Sequence, residues 1–168
     1  HRSAEPTGQI LVVGAGIAGA MVARNLAVRG YQVTVADQGE SPGAGASGNP
    51  QGALYAKLGV QLNDQVRLAL AALLHAQRFY PAETPEQWHP TGLLMMGYSE
   101  HERERQQKFL RANTYPRTVL YPVDDQKASD LTGIACPQGG LWFPRSGWLE
   151  PARVCQSLLE HPNIRTEF

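Results

Sequence analysis

The chain has 168 residues, enough for one good core or for one domain and part of another. Its 15 Lys and Arg balance 15 Asp and Glu, so no global field draws it to nucleic acid or to an anionic membrane. No apolar run is long enough to span a bilayer and no signal-like segment opens the sequence, which reads as a soluble cytoplasmic protein without a membrane partner.

Residues 1–8, HRSAEPTG, are polar and read as a linker. An apolar strand over 10–13 then runs into Gly14, Gly16 and Gly19. The pattern predicts a helix that turns Ala23 and Leu26 to a sheet and closes at Gly30. A second strand over 33–35 ends at Asp37. Each position has a physical role in a dinucleotide site. Gly14 permits the tight turn, Gly16 admits a pyrophosphate to the backbone, and Gly19 allows close packing of helix on strand. The first-turn amides and the positive helix end favour phosphate. Asp37, about 20 residues beyond the glycines, can accept hydrogen bonds from both ribose hydroxyls of an adenosine, which disfavours a 2′-phosphate and hence NADP. The fingerprint alone does not separate FAD from NAD.

Residues 39–53, GESPGAGASGNPQGA, are too rich in Gly, Pro, Ser and Asn for a helix or strand. Following directly on the nucleotide unit, the backbone amides of this loop and the side chains of Ser47, Asn49 and Gln51 are placed to line a cofactor. A core helix is expected over 62–80, capped by Asn63 or Asp64, with Leu62, Val66, Ala69, Leu70, Leu73, Leu74 and Ala76 on its apolar side and His75 as a packing residue. Residues 88–97 read as a short strand entered through a turn, with Met95 and Met96 filling core. Ser99 and Glu102 make a capping box for a polar helix to about Ala112, whose Arg103, Arg105, Lys108 and Arg111 alternate with glutamates. That alternation favours a solvated, ion-paired face over an RNA-binding patch.

A strand over 119–121, a short helix over 124–131 stopped by Gly133, and a strand over 140–143 follow. Gly147 is expected in a turn, Pro151 at a helix start running to Glu160, and a last strand over 164–168. Cys136 and Cys155 lack metal-site spacing and read as unpaired thiols, and no metal is expected. The fold class is therefore α/β, a Rossmann-like FAD-binding domain with a GxGxxG βαβ start and an inserted α+β substrate domain, both incomplete. The boundaries fall at 9–85 and 147–168 for the first and 86–146 for the second. A doubly wound sheet needs more strands than the three visible here, so the sequence is expected to be a piece of a longer protein.

With these residues placed, the chain resembles the amino-acid-oxidase-like flavoproteins, the group of D-amino acid oxidase, glycine oxidase and sarcosine oxidase. The resemblance rests on the fingerprint from Gly14 to Asp37, the ASGN loop at 46–49 and the G-x-x-x-P turn at 147–151. Within the group, GASGNPQGALY (45–55), TGLLMMG (91–97) and PQGGLWFPRSGWLEP (137–151) are most similar to the FAD-dependent domain of bifunctional enzymes that modify the tRNA wobble uridine. This resemblance implies FAD as cofactor, with Gly14, Gly16 and Gly19 at the pyrophosphate and Asp37 at the adenosine ribose. It puts Ser47, Asn49, Gln51 and Gly52 against the diphosphate and isoalloxazine. Ala15, Ile17, Ala18, Gln38, Ala46 and Gly48 belong to the same cofactor-binding set.

It further implies tRNA as substrate, a methyltransferase domain upstream that uses S-adenosylmethionine, and oxidation of the C–N bond of a carboxymethylaminomethyl uridine. No acid or base is assigned, and Arg117 and Arg145 are the two arginines considered for the substrate carboxylate. A free amino-acid oxidase of the glycine or sarcosine type, and a noncatalytic nucleotide-binding fragment, stand as alternatives.

Overall fold

The structure is a computed structural model that describes residues 8–112 and 114–168. All but the last residue of the expected linker lies outside these. In chain order the elements are β1 (Gln9–Val13), α1 (Ile17–Val28), β2 (Gln32–Ala36), β3 (Gly52–Leu54), α2 (Asp64–Glu83), β4 (Trp88–His89), β5 (Leu93–Met96), α3 (Glu100–Arg111), β6 (Tyr121–Val123), α4 (Asp125–Thr132), β7 (Gly140–Phe143), β8 (Gly147–Leu149), α5 (Pro151–Leu159) and β9 (Ile164–Glu167). Two compact units divide them. The first takes the residues up to Gly52 together with Tyr80–Trp88 and Leu149–Phe168, and the second takes Ala53–Phe79 and His89–Trp148.

The first unit is built on a parallel sheet of order β1-β2-β9. Ile10 pairs with Val33 and Val12 with Val35, and β2 continues the ladder by pairing Val33 with Ile164. Helix α1 buries a stripe of small residues, Ala20, Ala23 and Ala27, at helical spacing. Small side chains let helices approach closely, and α1 packs against α5, which buries Val154, Cys155, Leu158 and Leu159. Leu26, expected to face the sheet, is only half-buried, because Ala27 takes the inner position. The sheet's alternation leaves Leu11 and Val13 on the other face, exposed at 63% and 82%. Parallel sheets normally have both faces covered.

The second unit carries an antiparallel sheet of order β5-β7-β6, with Leu93 opposite Phe143, Met95 opposite Leu141 and Tyr121 opposite Trp142. Val119, Leu120, Leu141 and Phe143 form its buried centre, and Leu58, Leu70, Met95, Phe109 and Tyr115 pack around it. Helix α3 begins at the expected N-cap, with Ser99 Oγ accepting from the Glu102 amide at 3.2 Å, while the Glu102 carboxylate turns to Arg105 rather than back to Ser99. Arg103 pairs with Glu100 and Arg105 with Glu102, the solvated ion-paired face expected of this helix. Gln106 turns inward instead, and its Nε2 donates to the Met95 carbonyl at 3.0 Å.

Several expectations are corrected. The loop at 39–53 holds a single 3-10 turn at Ala46–Gly48 and enters β3 at Gly52. Asn63 caps α2, accepting from the Val66 amide at 2.9 Å, but the helix passes Pro81 and ends at Glu83. Proline removes one ladder bond, and the ladder resumes where Thr84 N donates to Tyr80 O at 2.9 Å. The stripe that α2 covers runs through Val66, Leu70, Leu73, Gln77 and Tyr80, so Leu62 and Leu74 are exposed. His75 is exposed and stacks on Phe79 with ring centroids 5.6 Å apart, rather than packing in a core. Strand β6 starts at Tyr121, two residues later than the pattern suggests, and Gly147 opens β8 rather than a turn. Both cysteines are free and buried.

Phe143 is 2% exposed at the centre of the second unit. Truncation there removes a full aromatic payload and leaves a cavity, so Phe143→Ala is expected to lower stability by about 3–5 kcal/mol. The check is the urea midpoint, and an unchanged midpoint would contradict the packing described.

Candidate functional site at the glycine turn

The ends of β1 and β2 meet because their backbones are tied there. Gly14 leaves β1 with φ +105°, a conformation that L side chains rarely adopt, and its amide donates to Ala36 O at 2.7 Å. A Cβ on Gly19 would collide with the Gly14 carbonyl oxygen, so only glycine lets α1 start this close to the turn. Helix α1 has Gly16 at its N-cap and no side-chain cap of its own. Its first intrahelical bond from the next turn runs from Ala20 N to Gly16 O at 2.9 Å. The amides ahead of Ala20 are therefore the orphans of a helix start.

Two of the amides in this turn are taken by side chains. Ala15 N donates to Asp37 Oδ2 at 2.6 Å, and Ile17 N donates to Ser47 Oγ at 3.0 Å. Among the described residues those of Gly16, Ala18 and Gly19 have no such partner. Three donors within the first turn, at the positive end of a helix, suit an anion. Beside them lies a cleft of about 350 Å3 lined by Val13, Gly14, Ala36, Asp37 and Gln38. This volume is at the lower end of the range for small-molecule pockets, roughly 300–1,000 Å3.

Asp37 also accepts from the Gly39 amide, at 2.7 Å on Oδ1. The Ala15 amide, and after it the Gly39 amide, hold its carboxyl below the usual range, against a smaller opposing effect of desolvation. A carboxylate has about four lone-pair sites, so two remain for hydroxyl donors. Orphan amides, a cleft and an ionised acceptor beside it fit the adenosine diphosphate part of a dinucleotide.

Of the residues singled out from sequence, Gly14, Ala15, Gly16, Ile17, Ala18, Gly19, Asp37, Gln38 and Ser47 belong to this one region. Asn49 and Gln51 are exposed, and Asn49 Nδ2 turns back to Ala46 O at 3.2 Å. Gly48 N closes the 3-10 turn on Gly45 O at 2.9 Å, and Gly52 lies against the Pro151 ring. In the second unit the Arg117 guanidinium sits 4.3 Å from the Tyr121 ring centroid, and Arg145 is exposed. Sequence reasoning missed three participants. Gly39 was legible as the i+2 donor of an Asx turn at Asp37. Gly43, whose amide donates to Ala15 O at 3.0 Å, and Cys155 carried no local signal. The Cys155 thiol is pushed up by burial, with a hydrogen bond from Ser47 acting the other way.

Residues 9–163 match the FAD dependent oxidoreductase family. The chain belongs to that family. Its cofactor is FAD, and the adenosine diphosphate fit at the glycine turn agrees with that. Among curated relatives it is 55% identical over 96% of its length to the "tRNA 5-methylaminomethyl-2-thiouridine biosynthesis bifunctional protein MnmC" of Marinobacter nauticus, and 42% identical over 99% to the protein of the same name from Hahella chejuensis. It covers 26% and 27% of those two proteins, so the chain spans about a quarter of the length of the curated relatives it matches. Solved structures share the fold. A modified fructosyl peptide oxidase from Aspergillus nidulans superposes with TM-score 0.75 at 19% identity, covering 98% of this chain and 41% of that one. Glycine oxidase from Bacillus cereus gives 0.67 at 20% identity, with 89% and 43% covered.

Because the folded Asp37 carboxyl titrates below its ordinary range, its stabilising contribution is present above the unfolded value of roughly 3.9 and is lost as pH falls through the lower folded value. Asp37→Asn is therefore expected to lower the thermal midpoint at neutral pH, with the difference from the wild type shrinking below roughly pH 4. Parallel acid limbs for the two proteins would contradict the role given to this charge.

Proposed function

We propose that this chain is the first part of the flavin-binding portion of an enzyme acting on tRNA. The reaction removes the carboxymethyl group oxidatively from carboxymethylaminomethyl-(2-thio)uridine at the wobble position, leaving aminomethyl uridine for methylation. The observation that carries this reading is the 55% identity to a bifunctional tRNA-modification protein across 96% of the chain, far above the 19–20% shared with the oxidases cited above. The greater length of that relative leaves room for a methyltransferase domain that uses S-adenosylmethionine. The setting is the cytoplasm, where tRNA is modified. Among the described residues no helix is long and apolar enough to cross a membrane.

In this reading the amides of Gly16, Ala18 and Gly19 bind the pyrophosphate, and Asp37 accepts from the adenosine ribose, with Gln38 beside it. Ala46, Ser47, Gly48, Asn49, Gln51 and Gly52 form the loop that follows the cofactor toward its isoalloxazine end. FAD supplies the two-electron acceptor for oxidation of a CH–NH group. The amine loses two electrons and two protons to give a C=N bond, water adds, and the two-carbon acid leaves as glyoxylate. The chain's own contribution is to bind, to orient and to keep water from the reacting bond until oxidation is complete.

The test uses the complete protein containing this chain, without oxygen, and follows bleaching of the flavin absorption band. Bleaching by tRNA that carries the carboxymethylaminomethyl group, and not by glycine or sarcosine, is expected. Bleaching by the free amino acids alone would overturn the tRNA reading in favour of a metabolic oxidase.

A further inference from the structure

Helix α1 lacks a cap in its own sequence, because Gly16 at the N-cap has no side chain. The missing group comes from 30 residues away, where Ser47 Oγ accepts from Ile17 N at 3.0 Å. The same oxygen would lie 3.4 Å from a Cβ on Gly16, so it borders the space that the absent side chain leaves open. Ser47 sits on the 3-10 turn at Ala46–Gly48, and that turn packs on α5. A second tether, Gly43 N to Ala15 O at 3.0 Å, joins the same loop to the same glycine turn.

We infer that Ser47 is a positioning residue, which caps α1 from the loop and thereby holds the glycine turn and the 39–53 loop together as one anion-binding surface. This rests on the assignment of the glycine turn to the FAD pyrophosphate and goes beyond it, because it takes Ser47 out of the set of direct cofactor contacts. The physical case is a division of donors. The helix start offers the amides of Gly16, Ile17, Ala18 and Gly19, and Ser47 removes one of them from phosphate binding. Its hydroxyl compensates by fixing the direction of the rest. An acceptor that satisfies an orphaned amide stabilises a helix start. Here that stabilisation also orders a loop of glycines, which reduces the entropy that binding must otherwise remove.

The experiment measures FAD affinity of the stripped complete protein by flavin fluorescence, together with hydrogen exchange at the Ile17 amide, for the wild type, Ser47→Ala, Ser47→Thr and Ser47→Asp. Ser47→Ala is expected to speed exchange at Ile17 and to weaken FAD binding about tenfold, with the flavin absorption maximum unmoved. Threonine keeps the hydroxyl and should restore both readings. Aspartate keeps the cap and adds a charge, so it should protect Ile17 while weakening FAD further by repelling phosphate. Weaker FAD binding by Ser47→Ala with unchanged exchange at Ile17, or with a shifted flavin maximum, would overturn the inference in favour of direct contact. Unchanged affinity and exchange would overturn it as well. No FAD binding by the wild type would instead overturn the cofactor site itself, and this inference with it.

Discussion

Both oxygens of Asp37 are engaged by the chain itself, one by the Ala15 amide and one by the Gly39 amide. One charged group thus fixes the glycine turn after β1, the end of β2 and the first residues of the following loop. Hydrogen bonds to a charged acceptor are shorter and stronger than neutral ones, and 2.6 and 2.7 Å are short for N–H to oxygen. The backbone adds two more ties at the same level, from Gly14 N to Ala36 O and from Asp37 N to Glu167 O. The three parallel strands therefore finish together. Ligands of open α/β sheets bind at such carboxyl ends, where helix starts and strand tips converge.

Packing on the helix side serves the same end. Gly19 and the alanine stripe of α1 keep its axis close to the sheet, which brings the first-turn amides up to the strand tips. Larger residues along that stripe would lift the helix and move the donors away. The exposure of Leu11 and Val13 on the opposite face shows how differently the two faces of β1 are covered. In the second unit the roles are reversed: large side chains fill the centre, and a buried glutamine bonded to Met95 O fixes α3 over the sheet. The nucleotide unit derives its shape from close backbone approach, the other unit from side-chain volume.

The sequence was most readable where a local pattern determines the structure. The glycines and Asp37 announce the βαβ unit because turn, helix start and strand tip lie within one short stretch. Ser99 and Asp124 announce their helices for the same reason, each accepting from an amide three residues on. Legibility failed where distant residues decide. Nothing around Ser47 states that its partner is Ile17, so the loop read as a lining for the cofactor without regular structure, and its two ties to the glycine turn were not visible. Along α2 the apolar residues outnumber the positions the structure covers, and Gln77 is buried while Leu68 is 72% exposed. Composition showed an amphipathic helix but not which stripe faces inward. The second unit's short strands were shifted by up to two residues because their pairing, not their local preference, sets their ends.

In the proposed reading the first unit holds FAD by its adenosine diphosphate part, through the α1 amides and Asp37. Competition binding tests it most directly: FAD is displaced from the complete protein by ADP or by FMN, in the wild type and in Asp37→Ala. ADP is expected to compete and FMN not to, and Asp37→Ala is expected to weaken FAD and ADP together. Displacement by FMN with no effect of ADP, or equal affinities in the two proteins, would contradict it.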